Sequence, residues 1–510
     1  MIGEPGRQDA MPPTEQLEIE TKYDVDERAM LPALHELPGV ASVAQPVELN
    51  LVAVYFDTAG FDLAAAGVTL RRRTGGEDDG WHVKLPVASG ERLEIRHELG
   101  EAMQKVPIEL VRTVRVHVRK RELAPVVTLR TRRLVHRLLD ADGKILAELS
   151  EDEVTAEVTG AEPESWREWE LELVDGEEDL LAAADPLLRG AGAEPAKGPS
   201  KLARALGDWV PQAAQWELPN KPTTADMFRN YAGEQVAAVY RRDPEVRRDL
   251  PDSVHKMRVA TRRLRSALAT YRPVVDREAG DELRAELKWF AGELGRARDA
   301  EVLRERLTAL VADEPAELVM GRVVGTIDDH LRSVYKEARE QALEALESER
   351  YFRLLDALDA LLTDPPLVGE PRKAAKQLPE LLRHDWKRLR KAVGRVDDTD
   401  ELIQQEHELH DVRKASKRLR YAAESAEPVL GTDAGKLAAL AEQVQEVLGE
   451  HQDSVVARDV LRQLAVQVQL DGGNAFSFGR LHALEQQRGA DTRQEFIELW
   501  ASIKLPRSLR

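Results

Sequence analysis

Charged residues recur at every second position in a series of short segments in the N-terminal part of the chain. In the segment LEIETK, for example, Glu18, Glu20 and Lys22 alternate with other residues that include Leu17 and Ile19. Alternate residues of a β-strand share a face, so each such strand has a charged face and an apolar face. The apolar faces need a core, and open strand edges promote aggregation. The pattern predicts a barrel with helices over its apolar outer surface and charges around a wet interior.

The charges predicted for this interior have both signs. Buried charges are tolerated when they pair with each other, with a metal or with a ligand. Basic side chains around a cavity suit a polyanion, and paired carboxylates suit a hard divalent cation such as Mg²⁺ or Mn²⁺. Phosphoryl chemistry uses both, because cations neutralise phosphate oxygens and a metal activates water. A solvated charged surface explains one such strand, but it explains the whole series poorly.

The sequence changes character after the Pro-containing segment WVPQAAQWELPNKPT. Before it the segments are strand-like, except for helical periodicity at 27–37 and 178–190. From about Ala225 onward almost every segment has helical periodicity. The predicted fold class is α+β and then all-α, with an antiparallel β domain followed by a helical domain. The predicted limits are a disordered tail at 1–13, the β domain at 14–206, a linker at 207–223 and the helical domain at 224–505.

The helical part contains an internal repeat. Residues 254–265, VHKMRVATRRLR, align without gaps with residues 409–420, LHDVRKASKRLR, and the downstream motifs LGRARD and LGEHQD match at nearly the same spacing. Two related helical bundles that face each other are therefore expected. At about 100° per residue, each segment places a histidine and three cations on one helix face. These two basic stripes are His255, Arg258, Arg262 and Arg265, and His410, Arg413, Lys417 and Arg420.

Like charges three or four residues apart on a helix repel each other. The chain has a net charge of −19 and therefore enough acidic residues to separate these cations, yet the stripes recur in the same register. A polyanion held between the stripes explains this arrangement better than a solvated basic face does. The segment HDWKRLRK, residues 384–391, is a further basic helical segment that either extends this surface or faces solvent.

Composition argues against several classes of protein. The chain has no Cys, which excludes disulfides, thiolate metal sites and cysteine nucleophiles. Its acidic net charge argues against a general nucleic-acid binder, and no apolar run approaches the length of a membrane span. The first residues lack the apolar run of a secretion signal. We expect a cytoplasmic protein with no membrane partner and no nucleic-acid partner.

The ordered motifs EIETK, YFDT, TLRRR, VKLP, AELSEDEV, WELEL and GPSKLARAL resemble the CYTH superfamily, the triphosphate tunnel metalloenzymes, over about residues 16–206. The resemblance implies an eight-stranded tunnel barrel that hydrolyses or cyclises triphosphates with Mg²⁺ or Mn²⁺. The implied metal ligands are Glu18, Glu20, Glu148, Asp152, Glu170 and Glu172. The implied catalytic residues are Lys22, Arg73 and Lys84. The implied substrate-binding residues are Arg71, Arg96, Arg130, Arg132 and Lys201.

The pattern H-x2-R-x3-[RK]-x2-R occurs twice and is followed each time by L-G-x3-D. This combination resembles the CHAD domain, the conserved histidine α-helical domain, over about residues 224–505. That family is associated with inorganic polyphosphate, and CHAD commonly follows CYTH in one chain. The resemblance implies that the two basic stripes bind polyphosphate, and it adds polyphosphate granules as an expected location.

Three functional hypotheses follow from these features. The leading one is a metal-dependent inorganic triphosphatase, a hydrolase of tripolyphosphate, with a polyphosphate-binding helical domain. A nucleoside or thiamine triphosphatase, or an adenylate cyclase, would need a pocket for a base, for which the candidate side chains are Trp81, Trp166 and Trp169. A non-catalytic polyphosphate-binding or granule-targeting protein is the third, and the intact set of charges argues against it.

Overall fold

The computed structural model describes residues 14–88, 91–100, 105–211, 217–370, 372–397 and 401–504. The chain divides into two compact units, Met1–Ala214 and Gln215–Arg510. The tail predicted at 1–13 lies outside the described residues, and so does part of the linker predicted at 207–223. The domain limits drawn from the sequence therefore stay predictions.

The N-terminal unit is built on an antiparallel sheet of ten strands in its described residues. Eight strands follow the order β1-β6-β5-β4-β3-β7-β8-β9, and β9 also pairs with β1, so the sheet closes. Short strands β2 and β10 pair with β7 and β1. The predicted eight-stranded antiparallel barrel is confirmed. The strands are β1 Thr14–Val25, β2 Ser42–Val43, β3 Val47–Asp57, β4 Thr69–Thr74, β5 Gly80–Ala88, β6 Glu91–His97, β7 Ala124–Leu139, β8 Ile145–Val158, β9 Glu164–Leu173 and β10 Glu194–Pro195.

Helices cover much of the outer surface of the barrel. Leu180 and Leu188 of α4 pack on Trp169 of β9, and Leu110 of α2 packs in a second cluster with Trp81 of β5. These apolar residues alternate with the charged residues of the same strands, so the charges face inward. The helices of this unit are α1 Asp62–Ala65, α2 Ile108–Thr113, α3 Arg115–Val118, α4 Glu178–Gly190 and α5 Lys201–Leu206.

The helix predicted at 178–190 is α4, but the helix predicted at 27–37 is wrong. That segment forms only a 3₁₀ turn, Leu34–Glu36. Pro32 offers no backbone N–H and restricts the residue before it, which disfavours a continuous helix. The apolar spacing reflects Leu34 and Leu37, which are buried in the cluster beneath α4.

Helix α5 packs against the barrel. The hydroxyl of Ser200 caps the helix by accepting a hydrogen bond from the backbone N–H of Ala203 at 3.1 Å. Leu202 and Leu206 pack in a cluster with residues of β3, β7, β8 and β9, including Leu129, which also lines the interior. Helix α5 is therefore held to the barrel by apolar packing, and its first residue, Lys201, lines the interior.

The C-terminal unit is helical throughout its regular described elements, with α6–α9 in one repeat and α11–α14 in the other. The N-terminal ends of α6 and α11 meet reciprocally: the N–H of Thr224 donates to the carbonyl of Arg372, and the N–H of Ala374 donates to that of Pro222, both at 2.9 Å. Such reciprocity is typical of two-fold symmetry. The predicted repeated bundle is confirmed. The helices are α6 Thr224–Arg247, α7 Ser253–Thr270, α8 Arg277–Ala312, α9 Val323–Leu346, α10 Glu349–Thr363, α11 Ala374–Asp397, α12 Leu402–Leu430, α13 Thr432–Leu470 and α14 Phe476–Ser502.

Equivalent leucines should contribute equally to the stability of the two repeats. Leu264 on α7 and Leu419 on α12 occupy matching positions, and both are 0% exposed. We expect Leu264→Ala and Leu419→Ala each to lower the free energy of unfolding by about 2–5 kcal/mol, as truncation of a buried leucine does. Urea unfolding measures the free energy of unfolding of each variant, and Lys288→Ala, at an exposed site, is the control. A loss below about 1 kcal/mol at either leucine would contradict the shared core position.

Candidate functional site

The interior of the barrel is a cavity of about 490 Å³. Its lining includes exposed residues such as Val47, Glu77 and Val174, and also Lys201 at the start of α5. Charged side chains of both signs line the cavity. The cations are Lys22, Arg71, Arg73, Lys84, Arg92, Arg96, Arg133, Arg137 and Lys201, and the acids are Glu18, Glu20, Glu77, Asp78, Glu148, Glu170 and Glu172.

Three carboxylates form a row across adjacent strands. Glu20 of β1 pairs in register with Glu172 of β9, which pairs in turn with Glu148 of β8. Lys22 donates to Glu20 at 2.8 Å and Arg137 donates to Glu148 at 2.8 Å. Like charges directly opposite each other are destabilising without a cation between them. The row is therefore a place where a divalent cation would relieve repulsion.

Glu172 is the least compensated member of this row. It forms no ion pair within the described part of the chain, whereas its neighbours do. Burial raises the pKa of Glu172 to about 7, and the negative charge of Glu18 adds to the effect. Glu18 itself pairs with Lys84, yet burial raises the pKa of its carboxyl as well. This side of the cavity carries an excess of negative charge.

A second acidic group surrounds Lys201, at the start of α5. Oxygens of Asp152, Glu168 and Glu170 lie within 4.8 Å of one another, close enough to hold a metal ion. The Lys201 ammonium contacts them at 2.8, 2.6 and 2.7 Å respectively. Arg133 also donates to Asp152 and to Glu170, each at 2.6 Å. Burial works against ionisation of Glu170, but Lys201 and its other cationic neighbours hold the pKa of this carboxyl well below its usual value.

Glu94 organises the cations on the opposite wall. Its carboxylate is fully buried and contacts His82 at 2.9 Å, Arg71 at 3.4 Å, Lys84 at 3.7 Å and Arg96. Burial tends to raise the pKa of Glu94, but His82, Lys84 and Arg71 hold it well below its usual value. One anion therefore fixes three cations that face the cavity.

The structure brings most of the predicted phosphate-binding side chains together. Arg71 and Arg73 line the cavity, whereas Arg72, between them, is not part of the lining. Arg73 pairs with Asp78, and burial together with the nearby charge of Arg71 lowers the pKa of Arg73 to about 9. The predicted residues in the cavity lining are Lys22, Arg71, Arg73, Lys84, Arg96 and Lys201.

The assignment of Arg130 and Arg132 to substrate binding is wrong. Their side chains are 57% and 45% exposed on the outside of β7, where Arg130 pairs with Glu157 and Arg132 pairs with Glu48. Arg133 is the residue of this segment that lines the cavity. The segment TLRTRR carries arginines on both faces of the strand, so charge alone does not identify the inward face.

Every predicted metal ligand lies in or against the cavity. Glu18, Glu20, Glu148, Glu170 and Glu172 line it. Asp152 is 1% exposed and lies behind Arg133 and Lys201. The sequence reasoning gave no role to several further charged or titratable residues, among them Arg92 in the cavity lining, although each shares the inward strand face with an assigned residue. The others include His82, Glu94, Arg137 and Glu168.

The two basic stripes of the helical unit converge on one surface. Helices α7 and α12 pack together, and burial first, then the charges of Arg413, Arg262 and Arg258, lower the pKa of Lys417 to about 7. These cations come from both repeats. Arg262 also donates to the hydroxyl of Tyr421 at 2.9 Å. The convergence creates a concentrated positive potential that an anion would relieve.

The L-G-x3-D motifs position one arginine in each stripe. Arg258 donates to the carbonyl of Gly295 at 3.1 Å and to Asp299 at 2.9 Å. A side chain at Gly295 would meet the Arg258 guanidinium at 3.2 Å, and one at Gly449 would meet that of Arg413 at 3.5 Å. The glycine thus leaves room for the arginine to cross the neighbouring helix, and the aspartate four residues later provides a counter-charge.

Other members of the stripes have different surroundings. Arg420 donates to Glu424 at 2.7 Å and contacts Glu442 at 2.8 Å, so acids neutralise it. Burial, together with nearby cations, lowers the pKa of both His255 and His410. Arg265 is partly buried, and its pKa is lowered by burial and by the charges of Arg284 and Arg262. Uncompensated positive charge is therefore greatest in the middle of the surface, around Lys417, Arg413 and Arg262, and smaller at the ends of the stripes.

These features define a class of protein in which a charged tunnel barrel is joined to a two-fold helical domain. The CYTH domain family matches residues 16–205, and the CHAD domain family matches residues 230–462. The chain belongs to the family of proteins in which a CYTH domain precedes a CHAD domain.

Similar proteins match different parts of the chain. An uncharacterized protein of Mycobacterium tuberculosis, from strains CDC 1551 / Oshkosh and ATCC 25618 / H37Rv, is 39% identical over 502 residues, 95% of each chain. The crystal structure of the CHAD domain from the plant Ricinus communis is 28% identical, with a TM-score of 0.47, over 58% of this chain and 99% of that one. PptA from Streptomyces chartreusis is 23% identical, with a TM-score of 0.47, over 55% of this chain and 100% of that one.

Family membership establishes the general chemistry. The CYTH family includes triphosphatases and cyclases, which supports a phosphoryl-transfer enzyme. CYTH domains are metal-dependent, their tunnels bind triphosphate substrates, and this barrel has an acidic cluster that could hold a metal. None of the described helices is long and apolar enough to cross a membrane.

The inward face of β7 can be tested with adjacent arginines. Arg133→Ala removes a cation that lines the cavity and leaves Asp152 and Glu170 less compensated. We expect its affinity for tripolyphosphate to fall at least about 10-fold, a loss of about 1.4 kcal/mol. Arg132→Ala is the control, because that side chain is outside the barrel. Thermal melting first establishes that both variants fold, and titration calorimetry then measures their affinities for tripolyphosphate. Equal losses of affinity in the two variants would contradict the inward orientation of Arg133 on β7.

Proposed function

We propose that the barrel is a metal-dependent inorganic triphosphatase that hydrolyses tripolyphosphate. The proposal rests on one observation above all: a single cavity combines a dense set of cations with a row of carboxylates. The cations suit the phosphate oxygens, and the carboxylates suit Mg²⁺ or Mn²⁺. Hydrolysis of a phosphoric anhydride uses both.

The absence of a stacking platform favours an inorganic substrate over a nucleotide. Tyr55 is the only aromatic side chain among the described residues that line the cavity, and it lies next to Arg71. Trp81 and Trp169 are buried in outer clusters, and Trp166 packs in a cluster with leucines of α5 and lies beneath Arg204. A nucleobase or a thiamine ring would therefore find little aromatic surface.

The carboxylate row fits a divalent cation. Glu18, Glu20, Glu148 and Glu172 offer hard oxygen ligands, and the raised pKa of Glu172, which burial and the charge of Glu18 cause, supports a cation at this place. When bound, Mg²⁺ or Mn²⁺ would neutralise phosphate oxygens and lower the pKa of water. Asp152 and Glu170 are also proposed ligands, although their main contacts in this structure are Arg133 and Lys201.

The cations of the cavity would bind and orient the substrate. Lys22, Arg73 and Lys84 are the proposed catalytic residues, because charge stabilisation at the reacting phosphate is the main contribution a protein makes to phosphoryl transfer. Arg71, Arg96, Arg133 and Lys201 would hold the remaining phosphates. Burial strengthens each of these contacts, because the surroundings screen charge less than water does.

The helical domain would act as a binding module for inorganic polyphosphate. Cations from both repeats converge at Arg258, Arg262, Arg413 and Lys417, and their mutual repulsion would be relieved by a chain of phosphates. Such binding should depend strongly on salt, as it does for other linear phosphate polymers. A purely binding role for the whole chain is disfavoured, because the charge set of the barrel is intact.

Replacement of one carboxylate of the row tests the enzyme. Glu20→Gln preserves shape but removes a hard anionic ligand, so hydrolysis of tripolyphosphate should fall at least about 100-fold. Glu15→Gln, an exposed site on the opposite face of β1, is the control. Phosphate release with Mg²⁺ or Mn²⁺ is measured on tripolyphosphate, ATP and thiamine triphosphate. Near-normal activity of Glu20→Gln at saturating metal would rule out the metal assignment, and preference for ATP or thiamine triphosphate would rule out the inorganic substrate.

Removal of the central cations tests the binding module. The variant with Arg258, Arg262, Arg413 and Lys417 all changed to Ala should bind long-chain polyphosphate at least about 100-fold more weakly, because four charged contacts are lost. Its tripolyphosphate turnover should persist, since the barrel is unaltered. Titration at several salt concentrations and a phosphate-release assay measure the two properties. Unchanged polyphosphate affinity, or lost turnover in a folded variant, would contradict this division of roles.

A further inference from the structure

We infer that the exposed basic face of α11 extends the polyphosphate surface, so that long chains continue from the central cations onto this helix. The inference rests on the polyphosphate-binding role proposed above. The α11 face consists of five exposed residues, His384, Lys387, Arg388, Arg390 and Lys391.

The α11 face is a cluster of exposed cations without counter-charges. No ion pair joins any of its five residues to another part of the chain that the structure describes. Elsewhere on exposed helices arginines are commonly paired: Arg350 with Glu286, and Arg395, one turn further along α11, with Glu408. In a chain with a net charge of −19, an uncompensated basic face of this size indicates an external anion.

The equivalent helix of the first repeat lacks this face. Helices α6 and α11 each have 24 residues, and their first residues meet reciprocally. Counting from those ends, the α6 positions that match the α11 face are Glu234, Ala237, Ala238, Tyr240 and Arg241. One cation and one acid stand where α11 has a histidine and four cations. The basic face is therefore not a requirement of the shared fold.

A buried ion pair fixes α11 against the helices that carry the stripes. Asp385 is 1% exposed, forms an ion pair with Arg418 of α12 at 2.7 Å and accepts a hydrogen bond from the hydroxyl of Thr270 of α7 at 2.7 Å. At about 100° per residue, Arg388 lies about 60° around α11 from Asp385, and the other four residues lie further round. Arg388 is thus the member of the face nearest to α12.

Cations connect this edge to the stripes. Burial lowers the pKa of Arg418 despite its pairing with Asp385, and the charges of Arg388 and Arg284 contribute. Arg284 also acts on Arg265, the last member of the α7 stripe. Asp281 pairs with Arg284 at 2.6 Å and is an acid on this route. Arg265 of the α7 stripe, Arg284, Arg418 and Arg388 of α11 therefore form a series of cations that act on one another, and the buried contact of Arg418 with Asp385 joins this series to α11.

The dimensions make the extension specific for long chains. A stripe from His255 to Arg265 spans about 15 Å of helix, and the α11 face spans about 10 Å more. A short oligophosphate fits on the central cations alone, whereas a long chain also reaches α11. A nucleic acid would favour exposed aromatic side chains for base stacking. The one tryptophan within this segment, Trp386, instead stacks on Trp500 with ring centroids 5.5 Å apart.

The test compares two full-length variants with the same loss of charge. The first changes Lys387, Arg388, Arg390 and Lys391 to Ala. The control changes Arg241, Lys288, Lys336 and Lys436, exposed cations on four other helices, to Ala. Titrations use long-chain sodium polyphosphate and an oligophosphate no longer than about 15 Å, and circular dichroism and melting temperature establish that both variants fold.

For the α11 variant, the ratio of long-chain to short-chain affinity should fall about 10-fold, and the salt dependence of long-chain binding should weaken by roughly 2 to 3 in log–log slope. The control should keep the wild-type ratio. A variant ratio equal to that of the control would overturn the α11 extension but leave central binding intact. No binding of either polyphosphate by the wild type would overturn both. Loss of single-stranded DNA binding, with long-chain polyphosphate binding retained, would show that the face serves a different polyanion.

Discussion

The interior of the barrel depends on compensation of charge between neighbouring strands. Lys201 contacts three carboxylates, and Arg133 contacts two of the same three, so removal of one member would leave the others buried and less compensated. Loss of one partner of a buried ion pair is far more costly than the net contribution of the pair. The carboxylate row at Glu172 departs from this balance, and it is where the barrel itself supplies too little positive charge.

In the helical unit, cations of α7 and α12 lie close enough to repel one another, and a few acids offset only part of that repulsion. Matching glycines let Arg258 and Arg413 cross to a neighbouring helix, where Asp299 pairs with the first and Asp453 acts on the second. These acids hold the arginines without neutralising the whole cluster, so Lys417 still lies in a strongly positive field. The duplicated motif therefore encodes a position for each cation as well as its charge.

Period-two patterning predicted the closed barrel and the inward faces of β1, β4, β5 and β9, because charged and apolar residues alternate cleanly there. It failed on β7, where Arg130, Arg132 and Arg133 put charge on both faces and only the neighbouring strands decide which face is inside. Pairings such as that of Lys201 with Glu168 depend on how the barrel closes and how α5 enters it, which local sequence does not specify. The wrong helix at 27–37 shows the same limit. The spacing of its apolar residues correctly indicated burial of Leu34 and Leu37, but Pro32 disfavours the continuous helix that this spacing suggested.

Helix α5 brings Lys201 into the lining of the cavity, while Leu202 and Leu206 of the same helix pack with apolar residues of four strands. The position of this ammonium therefore depends on apolar packing as well as on the carboxylates that it contacts. A substitution that loosened either leucine would displace a cation from three buried acids. Apolar packing and electrostatics are thus coupled through one short helix.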